Sequence, residues 1–179
     1  MRTHADVRAL LPQRHPMLLV DRILEFRAGE MIRTSKAVTA TEPCYAGLRD
    51  GAEPWQYHYP FSLLIESFGQ SAALLWLGGS TADPGQDGTL MFVGATDFTF
   101  DGAALPGDVL EHTVRLETVI SDTAFVAGET WVGERCLARV SSLVATRRPV
   151  RGAATGSAGA TAGAADPAQR FDQPRKGSR

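Results

Sequence analysis

One segment of the sequence places a carboxyl group in a strongly apolar setting. In residues 61–77 (FSLLIESFGQSAALLWL), Ser62, Glu66 and Gln70 are spaced so that a helix would bring them into one narrow polar stripe. A carboxyl group among apolar side chains is costly to bury in its charged form, and a group held there is suited to general acid or base catalysis. The alternative interpretation is a partly exposed helix face on which Glu66 is solvated.

His58 is the histidine that stands beside this stripe. It lies in the run YHYP, immediately before the apolar segment, where an imidazole could act as a catalytic partner of Glu66. The alternative is a loop residue that packs among tyrosines. Another histidine, His112, falls on the apolar side of an alternating segment, where a hydrogen-bonded core histidine is expected.

The composition and the motifs argue against several classes of protein. The net charge is -2, which does not favour a nucleic-acid-binding protein. No apolar run is long enough to cross a bilayer, and residues 1–6 lack the apolar core of a secretory signal, so we expect a cytoplasmic protein without membrane contact. Two cysteines and no His/Cys cluster predict no disulfide framework and no metal site.

The remaining pattern predicts an α+β domain over residues 1–148 and a flexible Gly/Ala-rich tail over residues 149–179. Residues 61–77 form its one long helix, which Gly78-Gly79 would end. Apolar runs predict about six strands, with short turns that favour antiparallel pairing, at residues 17–26, 31–39, 90–100, 109–120, 123–132 and 135–146. Such a sheet wrapped around one apolar helix is the hotdog fold, and a helix this apolar indicates a dimer.

Two further features of the pattern bear on the site. In the strand at residues 109–120, the inward-facing side chains are predicted to be Leu110, Val114, Leu116 and Ile120. Residues 41–59 form a long loop rich in glycine, proline and aromatic residues, and loops of that length usually carry function or are disordered.

Five sequence blocks resemble the FabZ-type 3-hydroxyacyl-acyl-carrier-protein dehydratases. LLPQRHPMLLVDR at 10–22 is similar to the family's LLPHRyPfLLVDRv, and KAVTATEPCYAG at 36–47 is similar to its K-x-V-T-x-x-E-x-F-F-x-G. LLIESFGQSAA at 63–73 looks like vLiiEalaQaaa, and FVG at 92–94 and LPGD at 105–108 match two later marks. The blocks follow the family's order and cover about residues 7 to 148.

The resemblance implies a hotdog dimer that removes water from a (3R)-3-hydroxyacyl group carried on the phosphopantetheine of acyl carrier protein. The product would be the trans-2-enoyl form, in fatty-acid or polyketide-type biosynthesis, with no further cofactor. In this family a histidine of one subunit takes the proton alpha to the thioester, a glutamate of the other protonates the leaving hydroxyl, and a backbone N–H near the helix start polarises the carbonyl. The motif assigns the glutamate to Glu66. The candidate substrate-binding residues are Tyr59, Phe61, Ser62, Gln70, Phe92 and Gly94.

The family's histidine has two candidate counterparts in this chain. The family reads G-H-F-P before its helix, and a direct match places Leu48 at the histidine, whereas a second alignment sets HYP at 58–60 against H-F-P. Three accounts therefore stay open. The chain is an active dehydratase that uses His58 and Glu66, a non-catalytic or half-site subunit whose histidine comes from a paralogous partner, or a hotdog thioesterase or acyl-binding protein.

A basic rim is also expected at the mouth of the site, because acyl carrier proteins are acidic. Its candidates are Arg14, Arg22, Arg33, Lys36 and Arg49, and the alternative is that these are scattered surface cations.

Overall fold

The chain folds into two α-helices, two short 3-10 helices and six strands within residues 2–79 and 89–148, which the computed structural model describes. The helices are α1 (His4–Leu10) and α2 (Phe61–Gly79), and the 3-10 helices are Pro43–Tyr45 and Pro54–Tyr57. The strands are β1 (Arg22–Arg27), β2 (Met31–Ala37), β3 (Thr89–Phe100), β4 (Val109–Ile120), β5 (Thr123–Val132) and β6 (Arg135–Arg148). The predicted tail at 149–179 lies outside the described residues.

A single antiparallel sheet contains all six strands, in the order β1-β2-β4-β5-β6-β3. Two tight turns connect β4 to β5 and β5 to β6, and each contains a residue in the left-handed region, Ser121 (φ 53°) and Gly133 (φ 57°). Strand β3 pairs with β6 and forms one end of the sheet. The prediction of a six-stranded antiparallel sheet with one long helix is confirmed.

Helix α2 packs along the inner face of the sheet, against β2 and β4. Its core side chains include Leu64, Phe68, Leu74 and Leu75, each at most 1% exposed. Burying a side chain of this size contributes about 1.5–3 kcal/mol. By length and composition alone, Pro54–Gly79 would pass as a membrane span, so the prediction that no apolar run is long enough is wrong on this criterion. The buried side chains of α2 are nevertheless typical of a core helix.

The first strand begins later than predicted. Residues 17–21 lie outside β1, because the backbone groups of Met17, Leu19 and Val20 bond to the side chain of Gln70 on α2. A backbone group that already has a side-chain partner is not available for a strand ladder. The predicted strand at 17–26 is therefore wrong for its first half.

The inward orientation predicted for Ile120 is also wrong. The register between β4 and β5 shifts between Leu116 and Thr118, so that the alternation reverses beyond this bulge. Leu110 and Val114 are buried as predicted, whereas Ile120 is 61% exposed. The alternation of residue types alone carries no signal of the bulge.

A buried polar network joins α2 to the sheet. The side chain of His112 on β4 is fully buried, with Nε2 2.8 Å from Ser67 Oγ and Nδ1 2.8 Å from Thr130 Oγ1. One turn along α2, Ser71 Oγ lies 2.7 Å from Thr34 Oγ1 on β2. Each of these buried polar side chains has a partner, so the network fixes the helix on the sheet without leaving an unsatisfied group. The prediction of a core histidine at 112 is confirmed.

Burial, together with a smaller contribution from the charge of Lys36, lowers the pKa of His112 from 6.5 to about 3. The unfolded chain takes up a proton at this residue near pH 6.5, whereas the folded chain resists protonation until near pH 3. The contribution of His112 to the free energy of unfolding therefore falls as the pH falls through that window, by about 1.4 kcal/mol per pH unit.

We expect the wild type to lose stability more steeply than His112→Gln when the pH is lowered from about 6 to about 4. Glutamine cannot titrate in this range, so the difference between the two profiles isolates the histidine from the carboxyl groups. Urea unfolding at one fixed protein concentration measures both profiles. Parallel profiles would show that the imidazole is not held neutral by the fold.

Candidate active site

The side-chain amide of Gln70 joins α2 to the segment that precedes β1. Gln70 is 1% exposed, and its Oε1 accepts hydrogen bonds from the backbone N–H groups of Leu19 (2.9 Å) and Val20 (3.4 Å). Its Nε2 donates to the carbonyl oxygen of Met17 (2.6 Å) and to Oε1 of Glu66 (2.9 Å). Since both N–H groups of the amide are used, Gln70 links the Glu66 carboxyl group to the segment before β1.

The predicted polar stripe of α2 runs from solvent into the interior. Ser62 is exposed in the first turn, Glu66 is half-buried one turn later, and Gln70 is fully buried one turn further. The alternative of a solvated helix face therefore holds for Ser62 and fails for Gln70. Glu66 lies at the boundary, where a ligand can reach the carboxyl group and bulk water is partly excluded.

A cavity of about 100 Å³ lies between α2 and the strands β3 and β6, and Glu66 and Gln70 form part of its wall. Phe92 lines it from β3, while Gly69 and Ala73 on α2 leave space because their side chains are small. A mostly apolar cavity with a few polar groups is typical of a ligand-binding site. Three of the predicted site residues thus lie in one cavity wall.

The other predicted substrate-binding residues lie outside this wall. Phe61 is 45% exposed and stacks on Phe100, with ring centroids 4.2 Å apart. Gly94 follows a register shift in β3 and has open space where a side chain would stand. Tyr59 is buried before α2, where its backbone N–H donates to the carbonyl oxygen of Ala104 (2.8 Å). Tyr59, Phe61 and Ser62 therefore all lie at the start of α2.

The loop at 41–59 is attached to the domain by a buried ion pair and by its tyrosines. Lys36 Nζ lies 2.7 Å from Glu42 Oε1 and 5.6 Å from the centre of the Tyr59 ring. The hydroxyl group of Tyr45 donates to the carbonyl oxygen of Tyr57 (3.1 Å), and burial raises the pKa of Tyr45 to about 12. Burial likewise raises the pKa of Tyr59. These contacts hold the loop against the start of α2.

The two candidate counterparts of the family's histidine have different surroundings. His58 ends the second 3-10 helix, with its backbone N–H donating to the carbonyl oxygen of Trp55 (3.2 Å), and its side chain is exposed. Leu48 is half-buried and packs against the apolar cluster that contains Val38 and Tyr45. The imidazole is therefore open to an approaching molecule, whereas Leu48 belongs to the packing of the loop.

The predicted basic rim is wrong for Lys36, which is 6% exposed and paired with Glu42. Arg33 pairs with Glu111 on the neighbouring strand (2.8 Å), and its side chain is exposed. Arg22 lines a larger, open cavity of about 930 Å³ on the outer side of β1, β2 and β4. None of the predicted catalytic or substrate-binding residues lines this cavity. Arg14 and Arg49 are exposed.

One polar residue of the cavity wall was missed by the sequence prediction. Gln13 lines the same cavity as Glu66, although it is 53 residues away in the chain. Its position inside the opening block, LLPQR, was the available signal, but nothing in the spacing of that block relates it to α2. No group of three or more His, Cys, Asp or Glu residues suited to a metal ion occurs within residues 2–79 and 89–148.

An antiparallel sheet along one long buried helix is the arrangement of the hotdog-fold proteins, and a solved structure agrees with it. The chain is similar to a chain of the dehydratase heterocomplex ApeI:P from Xenorhabdus doucetiae, with a TM-score of 0.63 and 18% identity. The match covers 79% of this chain and 90% of the other. At that identity the likeness establishes the fold class.

The sequence comparison establishes the family. A FabA-like domain matches residues 11–141. The 3-hydroxyacyl-acyl-carrier-protein dehydratase FabZ of Cupriavidus taiwanensis is 40% identical over 112 residues, which is 62% of this chain and 71% of the relative. The enzyme of the same name from Paracidovorax citrulli is 34% identical over 141 residues, covering 79% and 93%. The chain belongs to the FabA-like domain family, and the resemblance to FabZ-type dehydratases is confirmed.

We expect Gln70→Leu to lower the free energy of unfolding by about 2–3 kcal/mol, because it leaves the backbone N–H groups of Leu19 and Val20 buried without their partner. Ser62→Ala is the matched control on the same stripe, where the exposed side chain should cost less than about 0.5 kcal/mol. Urea denaturation of the three proteins gives both values. Equal stability of Gln70→Leu and the wild type would show that the amide does not hold the segment.

Proposed function

We propose that the chain is a cytoplasmic dehydratase that converts a (3R)-3-hydroxyacyl group on acyl carrier protein into the trans-2-enoyl form. The observation that carries the proposal is the carboxyl group of Glu66, half-buried in a cavity wall and held by Gln70. The names of the FabZ relatives state the same reaction. The pathway would be fatty-acid or polyketide-type biosynthesis, and the phosphopantetheine of the carrier would bring the thioester without a further cofactor.

The reaction needs a base at the carbon next to the thioester and an acid at the hydroxyl. The base takes a proton from C2, the electron pair forms the C2–C3 double bond, and the C3–O bond breaks as Glu66 gives its proton to the hydroxyl, which leaves as water. Gln70 Nε2 donates to Oε1 of Glu66, so Oε2 is the oxygen free to carry the transferred proton. Proton return from the base to Glu66 through solvent restores both groups.

His58 is the proposed base, acting on a substrate that also contacts Glu66 of a partner subunit. Its imidazole is exposed near the start of α2, so it can reach across to a second chain. Leu48 has no atom that accepts a proton and is half-buried in the loop packing. Within one dehydratase dimer, His58 is therefore the better candidate of the two.

A second chain would pair along β3. This strand is at the end of the sheet, and its residues Met91, Phe92 and Val93 are 47%, 52% and 63% exposed. An apolar strand at a sheet edge favours pairing with another strand. Since Met91 and Phe92 also line the cavity beside Glu66, a paired chain would close the open side of that cavity.

A half-site subunit is the second candidate function, and Leu48 favours it. In a heterodimer, Glu66 would serve a site whose histidine comes from a paralogous partner, and His58 would not be needed. The solved neighbour ApeI:P is itself a dehydratase heterocomplex. The two candidate functions share the role of Glu66 and differ in the source of the base.

We expect Glu66→Gln to lose enoyl formation by about 100-fold or more while it keeps its fold, because glutamine cannot transfer a proton. Glu30→Gln, which changes an exposed carboxyl group in the turn between β1 and β2, is the matched control and should keep full activity. Mass spectrometry of the carrier-bound acyl group follows the loss of water. Undiminished activity of Glu66→Gln would show that Glu66 is not the general acid. Release of a free fatty acid instead of the enoyl product would indicate a thioesterase.

His58→Ala separates the two candidate functions. If His58 is the base, the variant of the purified homomeric protein should lose about 100-fold or more in activity, while His4→Ala, an exposed histidine in α1, should change nothing. Full activity of His58→Ala would show that His58 is not the base. Activity that appears only after co-purification with a paralogous dehydratase chain would support the half-site subunit.

A further inference from the structure

The two peptide units on either side of His58 are each hydrogen-bonded to another part of the domain. On the one side, the carbonyl oxygen of Tyr57 accepts a hydrogen bond from the hydroxyl group of Tyr45 (3.1 Å). On the other side, the backbone N–H group of Tyr59 donates to the carbonyl oxygen of Ala104 (2.8 Å). Because φ and ψ of His58 are the rotations between these two planar units, the two bonds together fix the direction in which its side chain leaves the backbone.

The hydroxyl group of Tyr45 is a departure of this chain from the motif that it otherwise resembles. The motif E-x-F-F-x-G has its second phenylalanine at this position, and a phenylalanine could not donate to a carbonyl oxygen. The same chain has Leu48 at the direct counterpart of the family's histidine and carries His58 further along the loop. The added hydroxyl group therefore acts on the segment that holds the alternative histidine.

Tyr45 is itself held firmly, so its hydroxyl group is a fixed point for the loop. The residue is 6% exposed and belongs to the apolar cluster that contains Val38 and Leu64. Its backbone N–H donates to the carbonyl oxygen of Glu42 (2.9 Å), and the carboxyl group of Glu42 pairs with Lys36 on β2 (2.7 Å). Burial raises the pKa of Tyr45 to about 12, so the hydroxyl group keeps its proton and stays a donor at neutral pH.

We propose that Tyr45 is a positioning residue, whose hydroxyl group holds the Tyr57 carbonyl group and thereby aims the imidazole of His58 at the substrate. This role rests on the proposed dehydration with His58 as the base. The side chain of His58 is exposed, so the backbone on which it stands decides which region its ring can reach. Proton abstraction is sensitive to a displacement of the base by about 1 Å, so loss of this bond slows the chemical step without removing the base.

Amide hydrogen exchange followed by NMR tests the contact directly and needs no substrate. Tyr45→Phe removes the hydroxyl group and keeps the ring in its cluster. We expect the amides of His58 and Tyr59 to exchange about 5- to 10-fold faster in this variant, while the amides of α2 keep their rates. Tyr57→Phe is the matched control and should exchange like the wild type, because the bond uses the backbone carbonyl group of Tyr57. Equal exchange in Tyr45→Phe and the wild type would overturn the role of Tyr45.

Steady-state turnover then shows whether the contact acts through His58. Tyr45→Phe should lower kcat for enoyl formation by about 5- to 10-fold and leave KM within about twofold, because the imidazole acts in the chemical step. In the His58→Ala background the same substitution should lower kcat by less than about 1.5-fold, because no base remains to be positioned. An equal loss in both backgrounds would overturn the role, since the hydroxyl group would then act on something other than His58.

The outcomes separate this inference from the proposed function. Unchanged amide exchange in an active enzyme that depends on His58 would overturn the role of Tyr45 alone. Absence of turnover in the wild type, or full activity of His58→Ala, would overturn the proposed base and with it the catalytic role of Tyr45. The exchange rates would still show in that case whether the hydroxyl group holds the segment.

Discussion

The buried amide of Gln70 is the interaction on which the rest of the site depends. One side chain takes over the backbone hydrogen bonds of the segment before β1 and at the same time fixes the Glu66 carboxyl group one helical turn away. An amide suits this task because it offers both donors and an acceptor without a charge, so its burial requires no counter-ion. The apolar helix can therefore carry one reactive group without losing its packing.

The loop at 41–59 solves a related problem by a different means. It must bring polar residues to the start of α2, yet only Tyr45 and Tyr59 among its residues are buried. Lys36 is buried in its ion pair with Glu42, so removing the glutamate would leave an uncompensated buried charge. The pair and the Tyr45 hydroxyl bond thus confine the loop to one path, and that path ends at His58.

The sequence was sufficient to predict the long helix and most of the sheet, since α2 and five of the six strand positions follow from long apolar patterns. Helix α1 and the two 3-10 helices inside the predicted loop were not predicted. It failed where a tertiary contact overrides the local pattern. Residues 17–21 match the pattern of a strand, but backbone groups among them bond to Gln70. Ile120 matches the pattern of a buried residue, but it follows a bulge. For the site, the stripe of Glu66 and Gln70 was visible from spacing. Gln13 was not, because its relation to Glu66 exists only once the chain is folded.

Strand β3 has a double role that affects how this protein could diversify. In the dimer proposed above, another chain joins the sheet at this strand, where Met91 and Phe92 also shape the space beside Glu66. Any chain that joins there would contribute its own side chains to that space. Exchanging one subunit for a related one would then alter the range of acyl groups accepted while α2 stays unchanged. Substrate range would thus be a property of the assembled pair, encoded in two genes instead of one.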